Sequence, residues 1–333
     1  MILRNLRTEQ EIMATWKGDV ATPVVSIDCI TYNHELYIED ALEGFLIQET
    51  DFPIEILIHD DASTDSTANI IKEYEAAYPN IIKPIYQTKN QFSKGKNPIV
   101  EFNFPRAKGE YIALCEGDDY WIDKKKLQKQ ISFLKKNNEY SSSCHQSIIK
   151  YEGMNLEKKI FGNNSDEISI KKLMKGRTFH TASFVFRANI LEKNIVPSDI
   201  LSFDRYMFLL CALIGKIKFF QEVMCIYRKH EGGISSWITY DLLKKDLKIP
   251  MYLLRVNNKF PKYEYLFFVH QTLITYPKKV PLNRLIYHYL MYLILSFSNF
   301  PRNTIDVAKF SLIYVPIRLC RYFFKKSEFN RKD

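Results

Sequence analysis

The sequence predicts an α/β fold with a mostly parallel sheet, and two observations in its first half support this prediction. Short β-branched runs alternate there with segments whose apolar residues recur at helical spacing. Three of those runs end in clusters of polar residues. Strands joined by helices form right-handed parallel crossovers, so the clusters should meet at the carboxyl edge of one sheet, where such sheets bind ligands.

The elements follow one another in the order that this fold requires. The predicted strands cover residues 24–30, 54–58, 81–86 and 111–115. The accompanying helices begin their apolar stripes at Ile38, Ile70 and Leu127. Further along, the pattern is mixed: residues 184–186 indicate a short strand and residues 203–214 a helix. After Trp237 the sequence is typical of helices broken at prolines.

The composition is that of a globular protein. The chain has 333 residues, of which 46% are apolar and 26% charged, which excludes a disordered or collagen-like chain and predicts one large domain or two ordinary ones. Its six cysteines form no C-x-x-C pair, which argues against a zinc site and a disulfide scaffold. The first 19 residues lack an apolar run and indicate no signal peptide. We therefore expect a reduced, cytoplasmic compartment.

Positive charge is concentrated in the last quarter of the chain. Residues 241–333 contain 17 Lys plus Arg against 6 Asp plus Glu, a net +11, so the first 240 residues carry −2 of the total +9. This quarter is also rich in Tyr, Phe, Leu and Ile. Basic and aromatic residues together favour either nucleic acid or an anionic membrane surface as a partner. Because the sequence contains no known nucleic-acid-binding module, the membrane is favoured.

The segment Glu116-Gly117-Asp118-Asp119 crowds three acids at the end of a predicted buried strand. Clustered carboxylates repel each other unless a cation lies between them, and Mg²⁺ or Mn²⁺ on a substrate phosphate typically takes one or two carboxylates. A solvated turn that begins the next helix is the alternative, because acids also stabilise helix N-termini. The buried strand before the segment and the other polar clusters favour a functional site.

A second cluster, His59-Asp60-Asp61-Ala62-Ser63-Thr64-Asp65, ends the second predicted strand. An acid at this place can accept a hydrogen bond from a base or a ribose, as in dinucleotide-binding folds. Ser63, Thr64 or Asp65 can instead cap the helix that follows. Asp61 is the better candidate for a ligand contact.

Three segments together resemble the family 2 glycosyltransferases. They are residues 26–33, residues 60–67, and residues 108–112 leading into 116–121. Their order and spacing are specific to this family, and the resemblance covers about residues 22–235. It implies the GT-A fold, with a Rossmann-like mostly parallel sheet, and a sugar donor that is a nucleotide-sugar, with a UDP-sugar expected first.

The resemblance implies a role for each matching position. The nucleotide base would be lined by Thr31, Tyr32, Asn33 and Asp61. Asp119 would hold Mn²⁺ or Mg²⁺ on the donor diphosphate, and Asp118 would contact the ribose side or metal-bound water. Glu116 stands where the family often has Asp. Contacts to the phosphates are expected from Lys94, Lys96 and Arg228, with His230 as a further metal ligand or phosphate donor.

The acceptor side is expected from the second half of the chain. Asp204 opens the predicted helix at the place where the family has the acid that deprotonates the acceptor hydroxyl. Asp204 can also serve as the N-cap of this helix, a role that is compatible with the favoured catalytic one, and Asp199 is the alternative base. His180 and Thr181 would lie in the acceptor pocket, although a lone histidine is more often a structural residue.

Two apolar stretches mark the C-terminal quarter. Residues 285–300 are shorter than the roughly 20 residues of a membrane span, and residues 310–324 are edged by basic residues. Either these stretches pack as helices on the catalytic domain, or they form an amphipathic, basic anchor on anionic lipid. We divide the chain into an N-terminal extension, a nucleotide-sugar-binding half, an acceptor-binding half and a helical basic region, at 1–21, 22–140, 141–236 and 237–333.

The sequence thus predicts an inverting, metal-dependent transferase of hexosyl type. It would act on a hydroxyl of a glycan or lipid-linked acceptor in cell-surface polysaccharide synthesis, in the cytoplasm or on the inner membrane face. A sugar nucleotidyltransferase is the alternative enzyme, but it should carry a glycine-rich loop after the first strand, and residues 31–35 contain no glycine. A non-catalytic membrane adaptor is disfavoured by four acids that are all present, Asp61, Asp118, Asp119 and Asp204.

Overall fold

The computed structural model describes residues 6–153, 159–233, 238–275, 280–298, 310–311 and 315. The chain divides into two compact units. The first consists of Met1–Asp199 with Phe203–Gly233, and the second of Ile200–Ser202 with Ile234–Asp333. The two halves that the sequence analysis separates at residue 140 therefore belong to one unit.

The first unit is a nine-stranded sheet with helices around it. Its strands are β1 Val25–Thr31, β2 Ile54–Asp60, β3 Ile82–Tyr86, β4 Tyr111–Leu114, β5 Tyr120–Trp121, β6 Tyr140–Tyr151, β7 Lys159–Phe161, β8 Val185–Arg187 and β9 Lys216–Lys229. Its helices are α1 Glu9–Met13, α2 Ile38–Leu46, α3 Thr67–Ala77, α4 Lys126–Lys136, α5 Ile170–Lys175, α6 Asn189–Lys193 and α7 Phe203–Ile214. The strand order is β3-β2-β1-β4-β8-β6-β9-β5, and β7 pairs with β6.

The first half of this sheet is parallel, as predicted. β1 pairs in parallel with β2 and β4, and β2 pairs in parallel with β3. All residues of β2 and β4, and all but one of β1, are buried, because helices such as α2 and α3 cover the sheet. Between β3 and β4 the chain makes only short 3₁₀ and π turns, at Phe92–Lys94, Ile99–Asn103 and Phe104–Arg106.

The second half of the sheet mixes directions. β6 pairs in parallel with β9, whereas β8 pairs antiparallel with β4 and β6, and β5 pairs antiparallel with β9. β6 and β9 are not among the strands predicted from the sequence, because both are rich in polar residues. β6 buries Ser141, Ser142 and Ser143 among its neighbours, so its sequence lacks the apolar run that identifies a buried strand.

Gly109 lets the chain that enters β4 pass close to β1. Gly109 N donates to Ser26 Oγ at 2.8 Å, and Ser26 Oγ donates to Glu55 Oε1 at 2.5 Å. Lys108 N also donates to Glu55 Oε1, at 2.7 Å. A Cβ atom at Gly109 would lie 2.3 Å from Ser26 N, which no side chain can do without moving the backbone. Glycine at position 109 is therefore needed for β4 to lie against β1, while Lys108 contributes its backbone N–H.

The second unit is helical in its described part. It contains α8 Tyr240–Leu243, a 3₁₀ turn at Lys244–Lys248, α9 Ile249–Val256, α10 Lys262–Thr275 and α11 Leu282–Ser298. Phe267 on α10 stacks on Tyr292 on α11, with ring centroids 4.5 Å apart. Of the helices in the described ranges, none combines the length and the hydropathy that a membrane crossing requires.

We predict that Gly109→Ala destabilises the protein by about 1–3 kcal/mol or more, the usual cost of overpacking, because its Cβ would push β1 and β4 apart. Thermal and urea unfolding should both record the loss. Gly176→Ala is the matched control, since no atom lies within 4 Å of the added methyl group and its backbone is extended. Equal stability of the two variants would contradict the close approach.

Candidate active site

The acidic turn, defined as Glu116–Asp119, joins β4 to β5 and is held tightly against β1. Gly117 N donates to the carbonyl of Ile30 at 2.9 Å. A Cβ atom at Gly117 would lie 2.8 Å from Thr31 Oγ1, so the turn needs glycine at this position. Immediately after the turn, Tyr120 and Trp121 pair with Ile226 and Cys225 on β9. This pairing brings the end of β9 beside the acids.

Asp118 faces two histidines. His230 Nε2 lies 3.0 Å from Asp118 Oδ2, and His34 Nε2 lies 4.0 Å from the same oxygen. The ligand atoms of the three residues all lie within 4.8 Å of one another, which makes them the group in the described ranges that could hold a metal ion. His34 Nδ1 is oriented by Thr31 Oγ1 at 3.1 Å.

The protonation states of this group suit a cation. Burial alone would raise the pKa of Asp118, but hydrogen bonding from His230 and the nearby His34 hold it below the ordinary value. Burial lowers the pKa of His34 and so favours its neutral form. Asp118 Oδ1 is buried and has no hydrogen-bond partner. An ionised carboxylate with an unpaired buried oxygen beside imidazole nitrogens is a donor set that fits a divalent metal.

The other two acids of the turn differ from Asp118. Burial, together with Asp118 and Glu116, raises the pKa of Asp119 well above its ordinary value. Asp119 Oδ1 accepts a hydrogen bond from Arg228 N at 2.8 Å, so its carboxylate is turned toward β9. Burial, followed by Asp118 and Asp204, raises the pKa of Glu116 to about 8. Glu116 and Asp119 therefore favour their protonated forms near neutral pH, and Asp118 is the acid of the turn that favours the ionised form.

Asp204, the predicted base, lies in the first turn of α7. Arg177 Nη2 donates to Asp204 Oδ2 at 2.6 Å, and Thr181 Oγ1 approaches the same oxygen at 3.5 Å. Because its charge contributes to the raised pKa of Glu116, Asp204 lies near the acidic turn. The structure thus brings Asp204 and Thr181 close to each other and near the turn, and their roles on the acceptor side stay predictions.

His180, the other predicted acceptor residue, is enclosed in the core. Its ring stacks on Tyr227 with centroids 3.9 Å apart, and its Nδ1 lies 2.5 Å from Ser147 Oγ. Burial lowers the pKa of His180 to about 3, so the imidazole is neutral. Its position beside Thr181 lets it support the acceptor side through packing.

The predicted base-binding loops are joined to each other. Asn33 N donates to Ser63 Oγ at 2.9 Å, and Thr64 N donates to Asn33 Oδ1 at 2.8 Å. Asn33 and Ala62 both have positive φ, at 54° and 63°, a strained conformation that clusters at functional sites. Thr31 is buried at the base of this pair of loops, and Tyr32 is exposed.

Asp61 holds a further loop in place. Its Oδ1 accepts from Gln91 N at 2.6 Å and its Oδ2 from Phe92 N at 3.0 Å. This loop carries Lys94 and Lys96, which are both exposed, and Lys96 pairs with Glu101 at 3.6 Å. Asp61 therefore positions the two predicted phosphate-binding lysines near the base-binding loops.

Arg228 is buried, and its guanidinium contacts other groups of the protein. Its side chain is 2% exposed, and its nitrogens contact Asp40, Glu152 and the carbonyl of Asp118. Arg228 also lines a cavity of about 580 Å³, together with residues such as Tyr37, Lys150, His230 and Glu231. Three partners distant in sequence converge on its guanidinium, and the phosphate contact expected from the sequence stays a prediction.

Two residues of the site escaped the sequence analysis. His34 ends the predicted loop Thr31-Tyr32-Asn33-His34 but was given no role there, and its position at a strand end was the available signal. Arg177 gave no signal, because it stands in a mixed region, and only folding places its guanidinium on Asp204.

The fold and the site together define a class. A parallel sheet whose carboxyl edge carries joined loops and an acidic turn, followed by a mixed second half with an acid at the start of a helix, is the GT-A fold of nucleotide-sugar-dependent glycosyltransferases. The sequence profile described as Glycosyl transferase family 2 matches residues 26–194, about half of the chain. The protein belongs to this family.

Curated relatives match part of the chain. An uncharacterised protein of Mycobacterium tuberculosis is 37% identical over 211 residues, which are 63% of this chain and 60% of that protein. The putative teichuronic acid biosynthesis glycosyltransferase TuaG of Bacillus subtilis is 32% identical over 153 residues, 46% of this chain and 56% of TuaG. The matches thus span less than two thirds of these relatives' lengths.

Solved structures share the fold. Staphylococcus aureus TarS 1-349 in complex with UDP-GlcNAc superposes with a TM-score of 0.61 at 19% identity, over 81% of each chain. The mannosyltransferase PcManGT from Pyrobaculum calidifontis, in complex with GDP-Man and Mn²⁺, has a TM-score of 0.55 at 14% identity, over 91% of this chain and 86% of that one. These likenesses confirm the predicted α/β fold.

Proposed function

We propose that this protein is an inverting, metal-dependent glycosyltransferase that moves a hexosyl group from a nucleotide-sugar, a UDP-sugar in the first instance, to a glycan or lipid-linked hydroxyl. The observation that carries the proposal is the arrangement of Asp118 between His34 and His230, with Asp204 nearby. It is supported by fold neighbours that bind UDP-GlcNAc or GDP-Man with Mn²⁺. The names of TarS and TuaG, which concern poly(ribitol-phosphate) and teichuronic acid, support cell-surface polysaccharide synthesis.

In this proposal the donor lies along the carboxyl edge of β1, β2 and β4. The base is lined by Thr31, Tyr32 and Asn33, whose loop is held by the Ser63–Thr64 segment. Asp61 contacts the nucleotide base directly and also holds the loop that begins at Gln91. The exposed Lys94 and Lys96 on that loop approach the phosphates of the donor. The raised pKa of Glu116, to about 8, gives this acid a proton to donate to a ribose oxygen near neutral pH.

The metal, in this proposal, is held by Asp118, His34 and His230, while Asp119 supports the turn. Asp118 has the unpaired buried oxygen, whereas one oxygen of Asp119 accepts from Arg228 N. Two imidazoles beside one carboxylate favour Mn²⁺ over Mg²⁺, which prefers oxygen ligands. When bound, such an ion would stabilise the negative charge of the departing diphosphate.

Asp204 is the base in this proposal. The acceptor hydroxyl attacks the anomeric carbon from the side opposite the diphosphate, which inverts the configuration, and its proton passes to a carboxylate oxygen of Asp204. Arg177 holds Oδ2 of this carboxylate and Arg205 N holds Oδ1, which fixes the plane of the group. Thr181, 3.5 Å from Oδ2, can orient the hydroxyl.

A second proposal concerns a lipid surface. Ile286, Leu290 and Ile294 recur every four residues on α11 and are 49–60% exposed, with Tyr287 beside them. α11 contains no acidic residue, and Arg284 lies two residues before the first member of this stripe. Unpartnered apolar side chains in a basic region match an anionic membrane surface. The anchor predicted beyond residue 310 lies outside the described residues, except that Phe310 and Val315 are buried.

For the metal assignment we expect Asp118→Asn to weaken Mn²⁺ binding by about 10-fold or more, because it removes the charged ligand. Asp119→Asn is the matched control: the amide oxygen still accepts from Arg228 N, so Mn²⁺ affinity should change little. Electron paramagnetic resonance titration of Mn²⁺ measures both. A loss confined to Asp119→Asn would assign the metal to Asp119 instead.

For the base we expect Asp204→Asn to reduce turnover by about 10²-fold or more, the scale of losing a general base. Thermal stabilisation by UDP-, GDP- and dTDP-sugars first selects the donor. Nucleotide release with that donor then gives turnover, and calorimetry gives donor affinity, which should be unchanged. Asp199→Asn is the comparison variant. Full activity of Asp204→Asn together with an inactive Asp199→Asn would assign the role of the base to Asp199.

For the membrane proposal we expect the triple variant I286S/L290S/I294S to sediment less with vesicles containing anionic lipid than the wild type does. High salt should remove the electrostatic part of the binding, since the attraction acts over about a Debye length. The control I160S/I195S replaces exposed apolar residues of the first unit. Wild-type protein that stays in the supernatant, or self-associates through this stripe, would overturn the proposal.

A further inference from the structure

Arg228 is a buried cation that contacts three separate segments around the acidic turn. Its Nη1 donates to the carbonyl of Asp118 at 3.1 Å, its Nε donates to Glu152 Oε1 at 2.9 Å, and its Nη2 contacts Asp40 Oδ2. Asp40 lies on α2, and Glu152 follows β6. All three guanidinium nitrogens are thus used within the protein.

Two aromatic rings complete the surroundings of this guanidinium. Its central carbon lies 4.3 Å from the ring centroid of Tyr120 and 5.2 Å from that of Tyr37. Tyr37 in turn packs on His230, with ring centroids 4.6 Å apart. Arg228 is therefore linked to two members of the group His34, Asp118 and His230. It contacts Asp118 through the backbone carbonyl and reaches His230 through the ring of Tyr37.

The backbone of Arg228 acts on the neighbouring acid. Arg228 N donates to Asp119 Oδ1, so one residue fixes the side chain of Asp119 and the carbonyl of Asp118. Adjacent carboxylates repel each other, and a free turn would sample conformations in which either acid points toward the histidines. With Asp119 held toward β9, the carboxylate of Asp118 is the one left facing His34 and His230.

We propose that Arg228 is a positioning residue that fixes the acidic turn in its metal-binding conformation and does not contact the donor diphosphate. The inference rests on the proposed metal role of Asp118. A turn ordered before the metal binds avoids the entropic cost of ordering it afterwards, so Arg228 should contribute to metal affinity without touching the ion.

The variants separate positioning from phosphate binding. Arg228→Lys keeps the positive charge and the backbone N–H but cannot make the forked contacts to Asp118, Glu152 and Asp40. Asp40→Asn keeps Arg228 and its contacts to Glu152 and Asp118, and weakens only the contact between residue 40 and Nη2 of Arg228. Near-ultraviolet circular dichroism and thermal unfolding establish that each variant is folded. If Arg228→Lys does not fold, Asp40→Asn and Glu152→Gln carry the test.

The measurements are Mn²⁺ affinity without nucleotide, and UDP affinity in EDTA. Positioning predicts that Arg228→Lys weakens Mn²⁺ binding by about 10–100-fold, the usual effect of losing a residue behind a metal ligand, and leaves metal-free UDP binding unchanged. Asp40→Asn should give a smaller loss in the same direction.

Two results would overturn the inference about Arg228 and leave the proposed metal site unaffected. Weaker metal-free UDP binding with unchanged Mn²⁺ affinity would make Arg228 a phosphate contact. A lower unfolding temperature with unchanged affinity for both ligands would leave it a structural residue. If the wild-type protein binds no Mn²⁺, with or without UDP, the proposed metal site fails and this inference fails with it.

Discussion

The two-residue pairing of β5 with β9 is the contact on which the site depends. Trp121 secures it: its side chain is buried, packs on Phe45 with ring centroids 4.9 Å apart, and donates from Nε1 to Ala182 O at 2.7 Å. Because β5 begins directly after the acidic turn, this pairing decides which part of β9 lies next to the acids. The residues brought there are Arg228 and His230, more than a hundred positions away in the chain.

Charge compensation around the acidic turn is divided between two cations with different environments. Arg228 is buried, each of its three guanidinium nitrogens contacts an oxygen of the protein, and it acts on the turn itself. Arg177 is 44% exposed, and it acts on Asp204 at the predicted acceptor side. Burial, with the neighbouring carboxylates as the next cause, raises the pKa values of Glu116 and Asp119, so both acids favour their protonated forms near neutral pH. Asp118 is the acid of the turn whose pKa is lowered, and its ionised carboxylate beside His34 and His230 is the physical reason to expect a metal ion.

The parallel half of the sheet can be predicted from the sequence, whereas the mixed half cannot. β1, β2 and β4 are buried on both faces, so their sequences are apolar runs that identify them directly. β6 and β9 are longer, are rich in polar residues such as Ser141, Ser142 and Ser143, and pair with several register shifts. Their direction depends on pairing partners far away in the chain, and no local pattern encodes that choice.

The sequence by itself determined the α/β class, the parallel first half, the three polar clusters at one edge, and the resemblance to the family to which the chain belongs. It also located Asp204 at the start of a helix and the concentration of positive charge after residue 240. Tertiary structure decided which acid of the turn faces His34, that Arg228 points inward, and that Arg177 reaches Asp204. Spacing places residues on an edge, but the direction of a side chain in a turn is set by partners that only the folded chain brings together.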